Sequence, residues 1–275
     1  LLLGALPSAL AAQAPQSAPV RDIRYEVTFD RGTAANRQMR VRTSFDATGT
    51  QPVLLSLPTW TPGAYEISNF ARFVSAFEVT QNGRALDWDK LDYDTWRIVP
   101  AAAGRVGVEF MFEATELDNA KSYALEDFLM FNGTNVFLYP EGRGYDFASR
   151  VTMRTEPDWK IATGMEHVSG TGSVREYTAP NYHDLVDMPT FIGALEVDSA
   201  RAAGVWSRLA SYPVGALTGA ARATWHEQVG AYTPELVEAF GDRPFDHYTT
   251  LLLIEPEFGG GSALEHQNSH VGIYT

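Results

Sequence analysis

The sequence contains no cysteine, which excludes disulfide bonds, a thiolate nucleophile and any cysteine-ligated metal site. Basic residues are also few, because 21 Lys and Arg stand against 34 Asp and Glu, for a net charge of −13. Binding to nucleic acid needs clustered Lys and Arg, and so does adsorption to an anionic membrane, so the composition disfavours both. No stretch beyond the N-terminus is apolar over the length of a membrane-spanning helix, and we expect no stable membrane insertion.

The sequence does contain enough apolar material for a folded core. It is 45% hydrophobic and 12% aromatic over 275 residues. This composition argues against disorder and allows one large domain or two smaller ones.

The N-terminus has the features of a secretory signal peptide. Residues 1–14 form an apolar stretch that runs into small residues, and Ala12-Gln13-Ala14 fits a cleavage site of the A-x-A type. We therefore assign residues 1–20 to a signal-peptide remnant and spacer. The mature protein is expected to begin between Gln13 and Ala18 and to be periplasmic or secreted. A buried N-terminal helix is the alternative interpretation.

From residue 23 to about residue 197 the pattern is typical of many short strands. Apolar and polar residues alternate at period two, and turn signals such as Asn82-Gly83 separate the segments. The sequence predicts a mostly β fold, with residues 21–198 forming an N-terminal β-domain of the sandwich or saddle type. The predicted strands are 23–29, 39–45, 53–57, 73–81, 95–99, 106–112, 136–139, 150–155 and 176–178. A helical turn is predicted within 118–128.

The pattern changes after Gly193. Residues 206–212 and 248–254 are predicted strands, and residues 218–230 and 234–240 are predicted helices, the first capped by Thr218 and the second ended by Gly241. Residues 199–275 are therefore predicted to be a separate unit that mixes helices and strands.

No complete catalytic motif is present. The sequence has no G-x-S-x-G elbow, P-loop or dinucleotide fingerprint. His226-Glu227 lies on a predicted helix, but Gly230 stands where a second zinc ligand is needed. His266 and His270 have the right spacing, but Gln267 replaces the catalytic glutamate and the segment is not helical. We predict no metal site from these residues.

The segment Trp60-Thr61-Pro62-Gly63-Ala64-Tyr65 is the most distinctive turn. Pro62-Gly63 suits a type II turn, with Pro at the second position and Gly at the third. Trp60 and Tyr65 are predicted to clasp the turn as a packed corner of the β-domain. A loop that faces a neighbouring domain is the alternative.

The segment 260–269 contains the residues that are best suited to binding a peptide substrate. Glycines allow close backbone approach, and an extended run from Gly261 through Ser262 and Ala263 to Leu264 can pair with a peptide as an added strand. Glu265 at its end can neutralise the ammonium group of a substrate. The alternative is an ordinary exposed glutamate on an edge strand.

Several stretches together resemble the M61 family of glycyl-aminopeptidase-like zinc metallopeptidases. The turn at 60–65 is similar to the family's W-x-P-G-S-Y, and Ser262-Ala263-Leu264-Glu265-His266 to its G-G-L-E-H-x-N-S motif, although Ser262 replaces a glycine. Further landmarks are Phe70-Ala71-Arg72, Asn132-Gly133-Thr134, Val136-Phe137-Leu138, Trp159-Lys160-Ile161-Ala162-Thr163, Asp184-Leu185-Val186-Asp187-Met188-Pro189 and Ile192-Gly193.

The resemblance implies a particular function for a longer protein. It implies that residues 199–275 begin a thermolysin-like α+β catalytic domain, incomplete here because the family's H-E-x-x-H helix lies downstream of the G-G-L-E-H motif. The full-length protein would then be an exported Zn²⁺-dependent aminopeptidase acting on peptides, with a C-terminal PDZ domain. In this chain, which is expected to be inactive by itself, residues 261–264 would pair with the peptide. Glu265 would bind its α-amine, and His266 would support Glu265 by a hydrogen bond.

A non-enzymatic exported β-sandwich module that binds glycan or protein through its aromatic residues is the rival interpretation. The sequence downstream distinguishes the two, because an H-E-x-x-H motif supports the enzyme.

Overall fold

A computed structural model describes residues 15–275 of the chain. The predicted signal segment up to residue 14 lies outside the described residues. Strands hold 47% of the residues and helices 16%, so the predicted mostly β fold is confirmed.

The secondary-structure elements follow one another with short connections. The strands of the first part of the chain are β1 (Val20–Phe29), β2 (Gln38–Ala47), β3 (Val53–Ser56), β4 (Val74–Gln81), β5 (Arg84–Ala85), β6 (Trp88–Lys90), β7 (Thr95–Ile98), β8 (Gly104–Glu113), β9 (Tyr123–Leu125), β10 (Phe128–Phe131) and β11 (Tyr139–Pro140). The later strands are β12 (Ser149–Thr155), β13 (Lys160–Thr163), β14 (Glu166–Thr171), β15 (Val174–Ala179), β16 (Thr190–Gly193), β17 (Glu196–Ala202), β18 (Val205–Tyr212), β19 (His247–Ile254), β20 (Gly261–Glu265) and β21 (Ser269–Tyr274). The α-helices are α1 (Arg31–Ala34), α2 (Gly133–Val136), α3 (Tyr182–Val186) and α4 (Gly219–Phe240), and 3₁₀ turns cover Phe70–Phe73 and Pro256–Phe258.

The largest sheet has eight strands in the order β14-β15-β12-β1-β2-β8-β4-β5. Alternate side chains of its long strands point inward, as in β1, where Tyr25, Val27 and Phe29 are buried. Two four-stranded sheets, β13-β16-β10-β9 and β11-β3-β7-β6, pack against it. The three sheets share one hydrophobic core, to which Phe45, Trp96 and other residues contribute.

A five-stranded sheet follows, in the order β17-β18-β19-β21-β20. Strands β18 and β19 are parallel, and α4 makes the crossover between them. A second hydrophobic cluster joins this sheet to β10 and β16 through Phe128, Phe191, Leu251 and Val271. The sheet therefore packs on the earlier part of the chain, and its strand β20 lies at one edge.

The strongest local signals are confirmed. Asn82 and Gly83 have φ values of +52° and +75° and connect β4 to β5, as a tight hairpin turn requires. The hydroxyl of Thr218 accepts a hydrogen bond from the Ala221 amide, and Gly241 ends α4 at φ +73°.

Three local predictions are wrong. Residues 219–240 form one helix that continues through Pro234, because Gly230 keeps a helical conformation and does not end it, and the cost of Pro234 is not enough to break it. Residues 118–128 contain β9 instead of a helical turn, and residues 133–136 form α2 where a turn and a strand are predicted. Both differences occur where buried polar side chains bond to distant backbone, which a local pattern does not reveal.

Candidate functional site

The segment that the sequence singles out is an edge strand. Strand β20 pairs with β21 in antiparallel register, from Gly261 opposite Tyr274 to Glu265 opposite His270. Among the described strands, none pairs with its other side. An open edge presents backbone donors and acceptors to an incoming extended chain. The predicted extended conformation is therefore confirmed, while the binding role of residues 261–266 stays a prediction.

Glu265 ends β20 with an exposed side chain. Within residues 15–275, it takes part in no ion pair with Lys or Arg. Its charge acts on Tyr248, whose pKa is raised to about 12, mainly by burial and in part by the charges of Tyr232 and Glu265. The carboxylate is thus available to a cationic ligand.

His266 is held by a different residue from the one predicted. Its side chain is only 1% exposed, and Nδ1 donates to Oδ1 of Asp187 at 2.9 Å. The other oxygen of Asp187 accepts from the backbone amide of Gln267 at 2.8 Å. The predicted hydrogen bond from His266 to Glu265 is therefore wrong, because Asp187 takes Nδ1 and Nε2 is buried without a partner.

The turn around Gly63 packs on the same strand. Gly63 has φ +88°, and a Cβ atom there would lie 2.6 Å from Cδ1 of Leu264. The predicted clasp by Trp60 and Tyr65 is wrong, since Tyr65 is 97% exposed and Trp60 is 46% exposed. The loop faces β20 instead, as in the alternative interpretation.

Ser262 is held by a side chain that the sequence analysis missed. Nδ2 of Asn119 donates to Oγ of Ser262 at 2.9 Å. The backbone of this loop is in turn fixed by Asn132, whose Nδ2 donates to the carbonyls of Asn119 and Lys121. A buried asparagine in the Asn132-Gly133-Thr134 landmark is a signal of such a role, but its partners cannot be read from the sequence.

Two further motif segments contribute hydrogen bonds that hold the site in place. The hydroxyls of Thr61 and Thr134 share a hydrogen bond of 2.7 Å, and Thr61 also donates to the carbonyl of Ala120. Asn268, which follows the site strand, donates from Nδ2 to the carbonyl of Gly164 at 2.8 Å. Segments far apart in sequence therefore converge on β20 and the turn after it.

The histidines do not assemble a metal centre. Within the part of the chain that the structure describes, no group of three or more His, Asp or Glu side chains is placed to hold a metal ion. His226 lies 2.6 Å from Oδ1 of Asp198, a residue that also accepts from the buried Arg222. The ring of His270 lies 5.7 Å from that of Tyr248, tilted by 38°. Among the described residues, these histidines therefore do not form a zinc ligand set.

The described residues include no helix that is both long and apolar enough to span a membrane.

The family model of the peptidase M61 N-terminal domain matches residues 24–194. A comparison with curated proteins gave no match. The structure is similar to that of an aminopeptidase N family protein from Idiomarina loihiensis, with a TM-score of 0.82 and 26% identity over 91% of this chain and 42% of that chain.

Zinc peptidases of the M1 family share the fold at lower similarity. An M1 zinc metallopeptidase from Deinococcus radiodurans has a TM-score of 0.52 and 13% identity, over 93% of this chain and 60% of that chain. A mutant of an M1 zinc metallopeptidase from the same organism, bound to a Tyr-Ser-Ala substrate, has a TM-score of 0.52 and 13% identity over 92% and 60%.

This chain spans less than two thirds of the length of each of these structures. The family model nevertheless covers more than half of the 275 residues, and the structural likeness extends beyond it into the five-stranded sheet. The chain therefore belongs to the M61 peptidase family, and residues 24–194 match its N-terminal domain.

Proposed function

We propose that this chain is the N-terminal part of an exported, zinc-dependent aminopeptidase, in which β20 binds the peptide substrate. The observation that carries this proposal is the open edge of β20 with Glu265 unpaired at its end. Family membership and the peptidase neighbours support the reaction class. Residues 21–198 are proposed as the N-terminal β-domain and residues 199–275 as the start of the catalytic domain.

The residues of β20 have distinct roles in this proposal. The backbone from Gly261 to Leu264 pairs with the extended peptide, and this fixes the direction of the peptide chain. The carboxylate of Glu265 binds the α-ammonium group by a charge-assisted hydrogen bond. An aminopeptidase needs such an anionic stop, because it recognises a free N-terminus.

His266 holds the turn and does not contact the carboxylate of Glu265. Its bond to Asp187, together with the bond from the Gln267 amide, immobilises the chain directly after Glu265. A fixed backbone at this point keeps the carboxylate at one position along the peptide.

The catalytic chemistry belongs to the longer protein. Zinc, when bound there by ligands outside this chain, would supply Lewis-acid activation of water and of the scissile carbonyl. The chain as given is proposed to be inactive by itself. A C-terminal PDZ domain, and export to the periplasm or the medium, are also parts of the proposal.

Replacement of Glu265 by Gln in the full-length protein tests the assignment. The substitution keeps the size and one acceptor but removes the charge, so kcat/KM on unblocked peptides should fall roughly ten- to hundredfold. Turnover of N-acetylated peptides, which have no ammonium group, should hardly change. Steady-state kinetics on matched pairs of peptides provide the measurement.

Glu235→Gln is the matched control, because Glu235 is exposed on α4 and loses the same charge. It should leave both substrates unaffected. An equal loss on blocked and unblocked peptides in Glu265→Gln would show that Glu265 is only an exposed edge-strand residue.

A further inference from the structure

A cavity whose lining includes no residue of β20 lies where three sheets meet. It has a volume of about 490 Å³ and is bordered by β13, by the hairpin of β14 and β15, and by β17 and β18. Ile161, Met165 and Val197 form an apolar part of its wall. Arg175 from β15 and Arg208 from β18 also line it. The cavity thus combines an apolar surface with two guanidinium groups.

Neither arginine has a carboxylate partner among the described residues. Nη2 of Arg175 donates to the carbonyl of Trp159 at 3.1 Å, whereas its Nη1 is buried without any partner. Burial lowers the pKa of Arg208; Tyr177 opposes this effect, but no Asp or Glu does. Arg222 shows the usual arrangement, since it is buried and bonded to Asp198 at 2.6 Å.

Unpaired guanidinium groups in a cavity are costly. Both arginines are half-buried, and withdrawing a charge from water without a partner is unfavourable. The chain has 34 acidic residues against 21 basic ones. Yet within residues 15–275 no Asp or Glu lines this cavity. A concentration of positive charge in so acidic a protein indicates a ligand that is itself an anion.

Tyr177 is a further polar residue of this cavity. It lines the same cavity as both arginines, and their charges act to lower its pKa. Burial is the larger effect and raises the pKa of Tyr177 to about 12. At neutral pH the hydroxyl is therefore protonated and can donate a hydrogen bond to an anion.

We propose that this cavity binds an organic oxyanion, with its carboxylate or phosphate group between Arg175 and Arg208 and its apolar part against Ile161, Met165 and Val197. The planar guanidinium group matches the geometry of both oxyanions. The volume is in the range of small-molecule sites, which is about 300–1,000 Å³. The site does not involve β20 and is independent of the proposed peptidase function.

Calorimetric titration of the chain in phosphate-free buffer tests the proposal. Benzoate and phenyl phosphate are the probes, and they distinguish a carboxylate from a phosphate. Saturable binding of at least one is expected, whereas inorganic phosphate, which lacks the apolar part, should bind more weakly. The absence of saturable binding by both organic probes would overturn the proposal, and equally tight binding of inorganic phosphate would overturn the role of the apolar wall.

Variants locate the binding. Arg208→Gln should weaken binding by about tenfold or more, because a charge-assisted hydrogen bond is lost. Arg201→Gln is the matched control, since Arg201 is exposed, lies over Trp206 outside the cavity and carries the same charge. Arg201→Gln should bind as tightly as the unchanged chain. Equal weakening by both substitutions would show that the anion responds only to net charge.

Thermal unfolding separates binding from folding. Arg208→Gln removes no ion pair, so its Tm without ligand should equal or exceed that of the unchanged chain. At the same concentration, the probe that binds should raise the Tm of the unchanged chain by more than that of Arg208→Gln. If Arg208→Gln destabilises the chain, the variant Arg208→Lys is used, because it keeps the charge. Arg208→Lys should restore part of the binding. If it binds the probe no better than Arg208→Gln, recognition of the anion by charge is contradicted.

Discussion

Asp187 forms hydrogen bonds with two residues that lie 79 and 80 positions further along the sequence. Its two carboxylate oxygens accept hydrogen bonds from the ring of His266 and from the amide of Gln267. The side chain of His266 is almost fully buried, so its donor would be left unsatisfied if Asp187 were lost. One carboxylate thereby determines the conformation of the turn that follows the proposed substrate strand.

Asp187→Ala should therefore lower the free energy of unfolding by about 1.5–3 kcal/mol, the range for hydrogen bonds to a charged group. Urea denaturation of the chain provides the measurement. Asp146→Ala is the control, because Asp146 is exposed and loses the same charge. Equal stability of the two variants would show that the contact of Asp187 with the turn contributes nothing to the fold.

At the scale of secondary-structure elements, two short helices support the site. Gly133 begins α2, and a Cβ atom there would lie 2.7 Å from Cα of Val186 and 2.8 Å from the carbonyl of Leu185, both in α3. Backbone atoms cannot rotate away as a side chain can. The absence of a side chain at Gly133 thus permits the close packing that places Asp187 next to the turn.

Gly133→Ala is expected to destabilise the chain by about 1–3 kcal/mol, as overpacking does in a well-packed interior. Gly144→Ala is the matched control, since a Cβ atom at Gly144 meets nothing within 4 Å. Chemical denaturation of both variants checks the difference. A Gly133→Ala chain as stable as the control would mean that α2 and α3 separate without cost.

Helix α4 is joined to β17 by an ionic network. Burial raises the pKa of Asp198, whereas hydrogen bonds from Arg222 and His226 lower it. The lowering effects are together the larger, so the pKa of Asp198 lies below its usual value. A group whose pKa is lower in the folded state stabilises the fold above its unfolded pKa, and this contribution is lost as the pH falls through the folded pKa.

Asp198→Asn should therefore reduce stability most near neutral pH. The difference from the unchanged chain should shrink as the pH falls below about 4, the pKa of an unperturbed Asp. Urea unfolding over a series of pH values measures this difference. A difference that is constant with pH would rule out the ionic contribution of Asp198.

At the scale of the whole molecule, the sheets place residues from distant segments around β20. The five-stranded sheet shares its hydrophobic cluster with β10 and β16 of the earlier part of the chain. The landmarks at 60–65 and 184–189 contact the 261–268 segment, and the landmark at 132–134 holds the loop of Asn119, whose side chain bonds to Ser262. The proposed substrate strand is consequently supported by residues that the family model places in the N-terminal domain.

Calorimetric titration with zinc at neutral pH checks the proposal that the zinc ligands of the longer protein lie outside this chain. The chain as given should show no stoichiometric submicromolar site, because tight zinc sites need three or four convergent ligands. A tight site in this chain would contradict the assignment of the ligands to residues outside it. Replacement of His266 and His270 would then reveal whether these two histidines form it.

The sequence by itself determined the elements whose signals are local. Period-two alternation located long strands such as β1 and β2, Asn82-Gly83 defined a hairpin, and Thr218 and Gly241 marked the ends of α4. The extended character of 261–265 and the family also followed from short motifs. These features depend on backbone preferences and on residues near one another in the chain, so the order of amino acids is sufficient.

Only the tertiary structure decided which residues meet. It assigned His266 to Asp187, Ser262 to Asn119 and Leu264 to Gly63. It also brought Arg175 and Arg208 into one cavity. The physical reason is that these contacts join segments tens to hundreds of residues apart in the sequence. The distances between the contacting side chains are set by the packing of the hydrophobic faces of four sheets, and a local sequence pattern does not encode that packing.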